Sequence, residues 1–343
     1  MRALRWHARG DVRLDDVAPP PPPGPGQVQL AVAWCGICGT DVEELRHGPV
    51  FIPTAGPHPL TGRSAPLILG HEVTGEVIAL GAGVTNVRLG DRVGVDGLIF
   101  CGHCAACADH RVNLCDQLGC IGLMADGGLT ERCNVLAITC FPLPASVPAE
   151  AAALAETLSV GVRALNQGRL QARDRIVIVG GGPVGLLATA AARARGAAHI
   201  TVIEPLAHRR SLALTLGADV VSDPQDVDGL AGDVVVECTG NPALIPSALA
   251  LTAPAGRLVL AGIYSGSVTL SPHDLVLAER EIIGTLAHIY DQDYREAVGL
   301  ISSGRIDVLP VISDRVPLAR SLDDGLLALA GNPAAHVKIV VHP

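Results

Sequence analysis

Apolar residues recur in the first 150 positions as short runs: Gln27 to Val32, Val73 to Leu80, Arg92 to Val95 and Thr130 to Val135. Gly, Pro and Asp separate these runs. The pattern predicts short strands joined by turns. Pro19 to Pro25 predicts a stiff, extended surface segment, because proline has no N–H to give a ladder. Near residue 150 the pattern changes. Ala149 to Leu165 predicts a helix rich in Ala and Leu. Strands are then predicted over Arg175 to Val179, His199 to Ile203, Asp233 to Glu237 and Arg257 to Ala261. Helices are predicted between them over Val184 to Arg195, Ala207 to Leu216 and Pro242 to Leu251. Continuous apolar strands alternating with helices predict an α/β fold with a parallel, doubly wound sheet. A helix over Tyr294 to Ser302 and a terminal strand over Val337 to Val341 complete the chain, and no internal repeat is visible.

Composition narrows the class. A chain of 343 residues with 49% hydrophobic content suggests about two folded domains with a large core, so disulfides are not needed for stability. The formal charge of −9 gives no reason to expect nucleic acid or an anionic membrane as partner. Ile176 to Ala192 is uncharged, but it falls short of the roughly 20 residues a membrane span needs and is broken by glycines and Pro183. The N-terminal Met1 to His7 is charged and lacks an apolar stretch, so no signal peptide is visible and a cytoplasmic location is expected. Ten cysteines in a reducing compartment read as free thiols or metal ligands.

Cys101, Cys104, Cys107 and Cys115 form a dense cluster in one loop. Four thiolates complete a tetrahedral zinc shell with no open position, which predicts a structural site. Cys120, Cys133 and Cys140 lack such spacing and read as buried thiols. A second, open site is suggested by Cys35 and Cys38, by His71 and Glu72, and by Glu156. Glu156 stands in an apolar stretch where a carboxylate is costly without a partner. Three ligands of the Cys/His/Glu type leave one position for water or substrate, as catalytic zinc requires.

Gly180, Gly182 and Gly185 follow a predicted strand and open a predicted helix, the context of a dinucleotide turn whose helix N-terminus faces the pyrophosphate. Glu204 ends the next strand about 20 residues on, where a carboxylate binds both ribose hydroxyls and repels a 2′-phosphate. NAD is therefore expected over NADP. Arg209 and Arg210 are the counter-signal, read as solvated helix-surface arginines.

The sequence resembles the zinc-dependent medium-chain dehydrogenase/reductase family over essentially its whole length. The Gly70 to Glu72 motif, the four-cysteine lobe, the Gly180 to Gly185 turn and Glu237-Cys238-Thr239-Gly240 carry the likeness in order. Trp34 to Asp41, Gly48 to Pro53 and His58 to Thr61 resemble its butanediol dehydrogenase branch, with sorbitol and threonine dehydrogenases as neighbours. The resemblance implies a GroES-like catalytic domain (1–152 and 289–343) and an inserted Rossmann domain (153–288), with the active site in the cleft between them. It also implies Cys38, His71 and Glu156 as ligands of a catalytic zinc, with Glu72 beside or on the metal and Cys35 a core thiol. Pro183 and Val184 join the cofactor turn. Cys238, Thr239 and Gly240 would lie beside the nicotinamide ribose, and Lys338 would approach the phosphates.

In that family scheme Thr40 passes on the hydroxyl proton and Asp41 holds His71 through its second nitrogen. Two departures stand out. Glu43 occupies the place of the usual relay histidine, with His47 nearby as another substitute, and Thr157 replaces the proline that usually follows the acidic ligand. The function implied is zinc- and NAD-dependent oxidation of a vicinal diol, or reduction of an α-hydroxyketone, by a homodimer or homotetramer with two zinc ions per chain. The alternative is a polyol, sugar or amino-alcohol dehydrogenase. A non-catalytic NAD-binding protein on the same scaffold is a remote third reading, opposed by the intact Cys38, Thr40, His71 and Glu156.

Overall fold

In a computed structural model describing residues 1–343, the chain forms two compact units. The first comprises Met1–Glu156, Ile289–Ser302 and Ile312–Pro343. The second comprises Thr157–His288 and Ser303–Val311.

The first unit is built on a seven-stranded sheet. Its order is Cys140–Pro142, Arg92–Val95, Glu72–Leu80, Gln27–Ile37, Lys338–His342 and Ile312–Pro317, with Arg132–Leu136 also pairing to Gln27–Ile37. Alternation along Gln27–Ile37 sends Val28, Leu30 and Val32 into the core. This long strand is the organising element. Its far end places Gly36 opposite Glu72 on one side and opposite Val340 on the other. Three strand ends, from positions far apart in the chain, therefore converge at one place.

A smaller sheet of Asp11–Asp16, Arg2–Ala8 and Leu67–Ile68 covers the same core, with Leu4 and Trp6 buried in it. The sequence pattern gave no strand there, because the inward residues are few and the adjacent Ala3 and Leu4 are both buried, which breaks the alternation. The single helix expected over Ala149 to Leu165 is two helices, Ala149–Ala153 and Ala155–Gln167. The first closes with a tight i→i−3 bond from Leu154 N–H to Ala151 O, and Glu156 falls in the first turn of the second.

The second unit holds a six-stranded, all-parallel sheet in the order Val220–Ser222, His199–Ile203, Arg175–Val179, Gly232–Glu237, Thr252–Leu260 and Glu281–Gly284. This is the doubly wound order expected from the alternating pattern. Val177, Val235 and Leu258 are almost fully buried in its core. Burial of each such side chain contributes roughly 1.5–3 kcal/mol relative to exposure. The uncharged run at 176–192 is thus shared between a central strand and the helix Pro183–Ala194. No helix is long and apolar enough to cross a membrane.

Candidate active site and metal centres

In the first unit the strand register assembles a cluster. Cys38 follows the strand Gln27–Ile37 and caps the helix Gly39–His47, while His71 and Glu72 enter the neighbouring strand. One donor atom each from Cys38, His71 and Glu72 lies within 4.8 Å of the others, and the last two side chains are buried. Gly36 makes the room: a Cβ there would stand 1.8 Å from Glu72 Oε2. Cys35 points elsewhere. It packs in the hydrophobic core, and burial pushes its thiol well above the usual range.

The charge balance of the cluster is that of a cation site. Burial disfavours the charged form of His71, yet Cys38, Asp41 and Glu156 outweigh it and raise the imidazole well above its usual value. His71 Nδ1 makes no hydrogen bond and lies 4.0 Å from Asp41 Oδ1, beyond hydrogen-bond distance. Asp41 is instead bonded through Oδ2 to the Cys38 N–H at 2.9 Å, which fixes the helix start under the thiol. Glu156 stands outside the close set of three donors but acts on the His71 charge. A thiol, an imidazole and a carboxylate, the last two buried, converge here and fit a zinc ion by donor type.

Lys338 is placed differently from the expectation of a phosphate contact. It starts the strand Lys338–His342, is buried, and donates to Glu72 Oε1 at 2.5 Å and to Ile37 O at 3.3 Å. Thr40 Oγ1 lies 3.7 Å from Cys38 Sγ. Glu43 and His47 are exposed, one helical turn apart, with Oε2 and Nε2 4.0 Å from each other.

The four cysteines of the lobe also converge. Their sulfurs lie within 4.8 Å of one another, although the sequence spans Cys101 to Cys115. Backbone N–H groups point at them: Cys101 N–H donates to Cys115 Sγ at 3.3 Å and Cys104 N–H to Cys101 Sγ at 3.4 Å. The N–H groups of Asp116 and Cys107 bring the Cys104 thiol down to about 6. Donors aimed at sulfur favour the thiolate at Cys104, the form a metal requires, whereas burial pushes Cys107 up to about 12 and raises Cys115. Four converging thiols fit a closed tetrahedral zinc site.

In the second unit, Gly182 caps the helix Pro183–Ala194, with proline at its first position. A Cβ on Gly185 would lie 1.9 Å from Gly180 O, so only glycine lets helix and strand meet. Nothing crowds Gly182, leaving the helix N-terminus open. Glu204 is buried just past the second strand; its Oε2 accepts from Gly181 N–H at 2.7 Å and its Oε1 from Leu206 N–H at 2.9 Å. The turn and the carboxylate are therefore one preformed unit. Arg210 is tied back to Glu204 O, Pro205 O and Asp223 Oδ2. Arg209 lies half-buried on the same helix. Cys238, Thr239 and Gly240 follow the fourth strand, at the edge where this sheet order takes ligands.

Sequence reasoning missed two buried carboxylate roles. Glu72 as an ion-pair partner of Lys338 had no local signal, because the partners lie 266 positions apart. Glu44 is buried and accepts from Val50, Phe51 and Ile52 N–H at 3.0, 2.5 and 3.1 Å, which shapes the loop after the helix. Its signal was present: Asp41, Glu44 and Leu45 share one buried helix face.

A glycine turn on a doubly wound sheet, with a buried Cys/His/Glu cluster in a separate β-rich unit, defines a metal-dependent, dinucleotide-binding dehydrogenase. Comparison with known proteins agrees. The family model described as Alcohol dehydrogenase GroES-like domain matches residues 24–145, and that described as Zinc-binding dehydrogenase matches 183–303. The (R,R)-butanediol dehydrogenase of Neisseria gonorrhoeae is 36% identical over all of this chain and 99% of its own. The crystal structure of 2R,3R-butanediol dehydrogenase from Bacillus subtilis superposes with a TM-score of 0.91 at 34% identity, covering 100% of this chain and 99% of that one. A zinc-binding dehydrogenase from Sinorhizobium meliloti 1021, solved bound to NADP, gives 0.89 at 30% identity, covering 100% and 99%. The chain belongs to the zinc-dependent medium-chain alcohol dehydrogenase family and is an oxidoreductase acting on alcohols.

Proposed function

We propose that this chain transfers hydride between a secondary alcohol, a vicinal diol or α-hydroxyketone such as 2,3-butanediol or acetoin, and NAD. The observation that carries this reading is the buried Cys38–His71–Glu72 cluster beside the Thr40 hydroxyl, in a chain similar end to end to butanediol dehydrogenases. Zinc bound there supplies Lewis acidity at an alcohol or carbonyl oxygen. The remaining work falls to the chain. Cys38, His71 and Glu156 or Glu72 orient the site, and Lys338 balances the Glu72 charge. Thr40 takes the substrate hydroxyl proton and hands it on. Glu43 or His47, both exposed, or water then receives it. Gly180, Gly182, Pro183, Val184 and Gly185 receive the pyrophosphate at the helix N-terminus. Glu204 takes the adenosine ribose hydroxyls and disfavours a 2′-phosphate, with Arg209 on the helix that follows. Cys238, Thr239 and Gly240 lie on the side of the other ribose.

The reading includes a second zinc on Cys101, Cys104, Cys107 and Cys115, a homodimer or homotetramer, and a cytoplasmic location. A screen of NAD and NADP reduction across vicinal diols, polyols and amino alcohols tests the substrate and cofactor together. The highest kcat/KM with a vicinal diol and NAD supports the reading. A polyol or amino alcohol as the best substrate overturns the diol assignment, and faster NADP reduction overturns the role given to Glu204.

A further inference from the structure

One buried carboxylate has no part in this scheme. Glu237 ends the strand Gly232–Glu237 and is fully buried. Its Oε1 accepts from Thr239 N–H at 2.9 Å and from the Thr239 hydroxyl. Its Oε2 accepts from Gly240 N–H at 3.3 Å and from the Tyr264 hydroxyl. A buried carboxylate costs several kcal/mol unless it is paired or hydrogen-bonded, so the surrounding loops are built around it. Tyr264 belongs to the loop after the next strand, Thr252–Leu260. One carboxylate thereby joins two loops at the carboxyl edge of the sheet.

The two loops also touch through their backbones. A Cβ on Gly262 would lie 2.4 Å from Gly240 N, and one on Gly240 would lie 2.9 Å from Ile263 O. Thr239 in turn covers the dinucleotide turn. Gly180 has a φ of +102°, and a Cβ there would lie 2.7 Å from Thr239 Cγ2. Cys238 N–H donates to Val179 O at 2.9 Å. The chain of contacts runs unbroken from Tyr264 through Glu237 and Thr239 to Gly180. A pyrophosphate at the helix N-terminus, with one ribose at Glu204 over the second strand, sends the other half of the dinucleotide across the fourth and fifth strands. That is where these two loops lie.

We propose that Glu237 and Tyr264 are positioning residues, whose pairing holds the 238–241 and 261–264 loops in the conformation that receives the nicotinamide half of the cofactor. This rests on the cofactor reading above and adds its second half. Burial, reinforced by Glu237, pushes the Tyr264 hydroxyl above its usual range, so it remains a donor throughout the physiological pH range. Without that donor the loops are joined less firmly, and binding must then order them.

The test is titration of NADH and, separately, AMP into the full-length protein, for the wild type, Tyr264→Phe and Glu237→Gln. Loss of one hydrogen bond to a charged group predicts a Kd for NADH raised roughly tenfold in Tyr264→Phe. The Kd for AMP, which fills only the Glu204 half, stays within about twofold, and the melting temperature changes little. Glu237→Gln, whose one amide oxygen can serve only one of the two donor pairs and whose nitrogen cannot accept, raises the NADH Kd at least as much. Unchanged NADH affinity in both variants overturns the inference, and so does equal weakening of AMP and NADH, the mark of general loosening. A wild-type protein that binds no NADH overturns the cofactor reading itself.

Discussion

Lys338 Nζ lies 2.5 Å from Glu72 Oε1, with both side chains almost completely buried. The pair joins the first residues of two strands that flank Gln27–Ile37 on either side. Burial opposes the ammonium, but Glu72 and Cys38 outweigh it and hold the Lys338 pKa above its usual value. Removing one partner of a buried pair strands the other charge, at a cost of roughly 3–5 kcal/mol. Lys338→Met should therefore lower unfolding stability by about that amount in chemical denaturation. Adding Glu72→Gln should recover a large part of the loss. A Lys338→Met protein within about 1 kcal/mol of wild type would show that the pair contributes little.

The two metal clusters should separate by phenotype. Cys38→Ser should reduce kcat by more than about 100-fold, since replacing even an outer-shell partner costs 10–100-fold. It should leave NADH binding intact. Cys104→Ser should remove one zinc equivalent and lower the melting temperature, because metal binding to a closed site is folding free energy. Metal analysis of wild type should return two zinc ions per chain. The reverse pattern of phenotypes would exchange the roles of the clusters.

Glu204 shapes the turn, since its Oε2 accepts from Gly181 N–H at 2.7 Å, and in the proposed reading it also sets cofactor choice. Glu204→Ala should weaken NAD and relieve like-charge repulsion against a 2′-phosphate, a repulsion worth several kcal/mol. The ratio of kcat/KM for NAD over NADP should fall by roughly tenfold or more. A ratio that stays at the wild-type value would place discrimination elsewhere.

Acid stability should depend on Asp233. Burial raises its carboxyl, but the Arg175 side chain and N–H prevail and leave it below its usual value of 3.8. A carboxylate with a lowered folded pKa contributes stability that is fully present above the unfolded value and lost as pH falls through the folded one. The pair is about half exposed, so the contribution is at most about 1 kcal/mol. Asp233→Asn should therefore destabilise at pH 6 and converge with wild type toward pH 2. Equal losses at both pH values would assign the effect to packing.

Local patterns were legible where one segment carries the whole signal. Arg175–Val179 and His199–Ile203 are strands at the predicted residues, because a fully buried parallel strand is continuously apolar. The four lobe cysteines could be grouped because their spacing is short. The hairpin Arg2–Ala8 with Asp11–Asp16 was not read, since its outward residues are charged and its inward ones few. Glu237 was not assigned its structural role, because a carboxylate that serves backbone N–H groups looks like any other in sequence; for Glu44 the only signal was the helix face it shares with Asp41 and Leu45.

The sequence by itself determined the parallel sheet, its glycine turn and the types of donor available for metals, since each depends on side chains close together along the chain. Only the tertiary structure decided which distant groups meet. It set Glu72 against Gly36 and Lys338, committed Lys338 to a carboxylate, and joined Tyr264 to Glu237. Strand register and loop approach fix these contacts, and both are settled by burying the core as a whole rather than by any one segment.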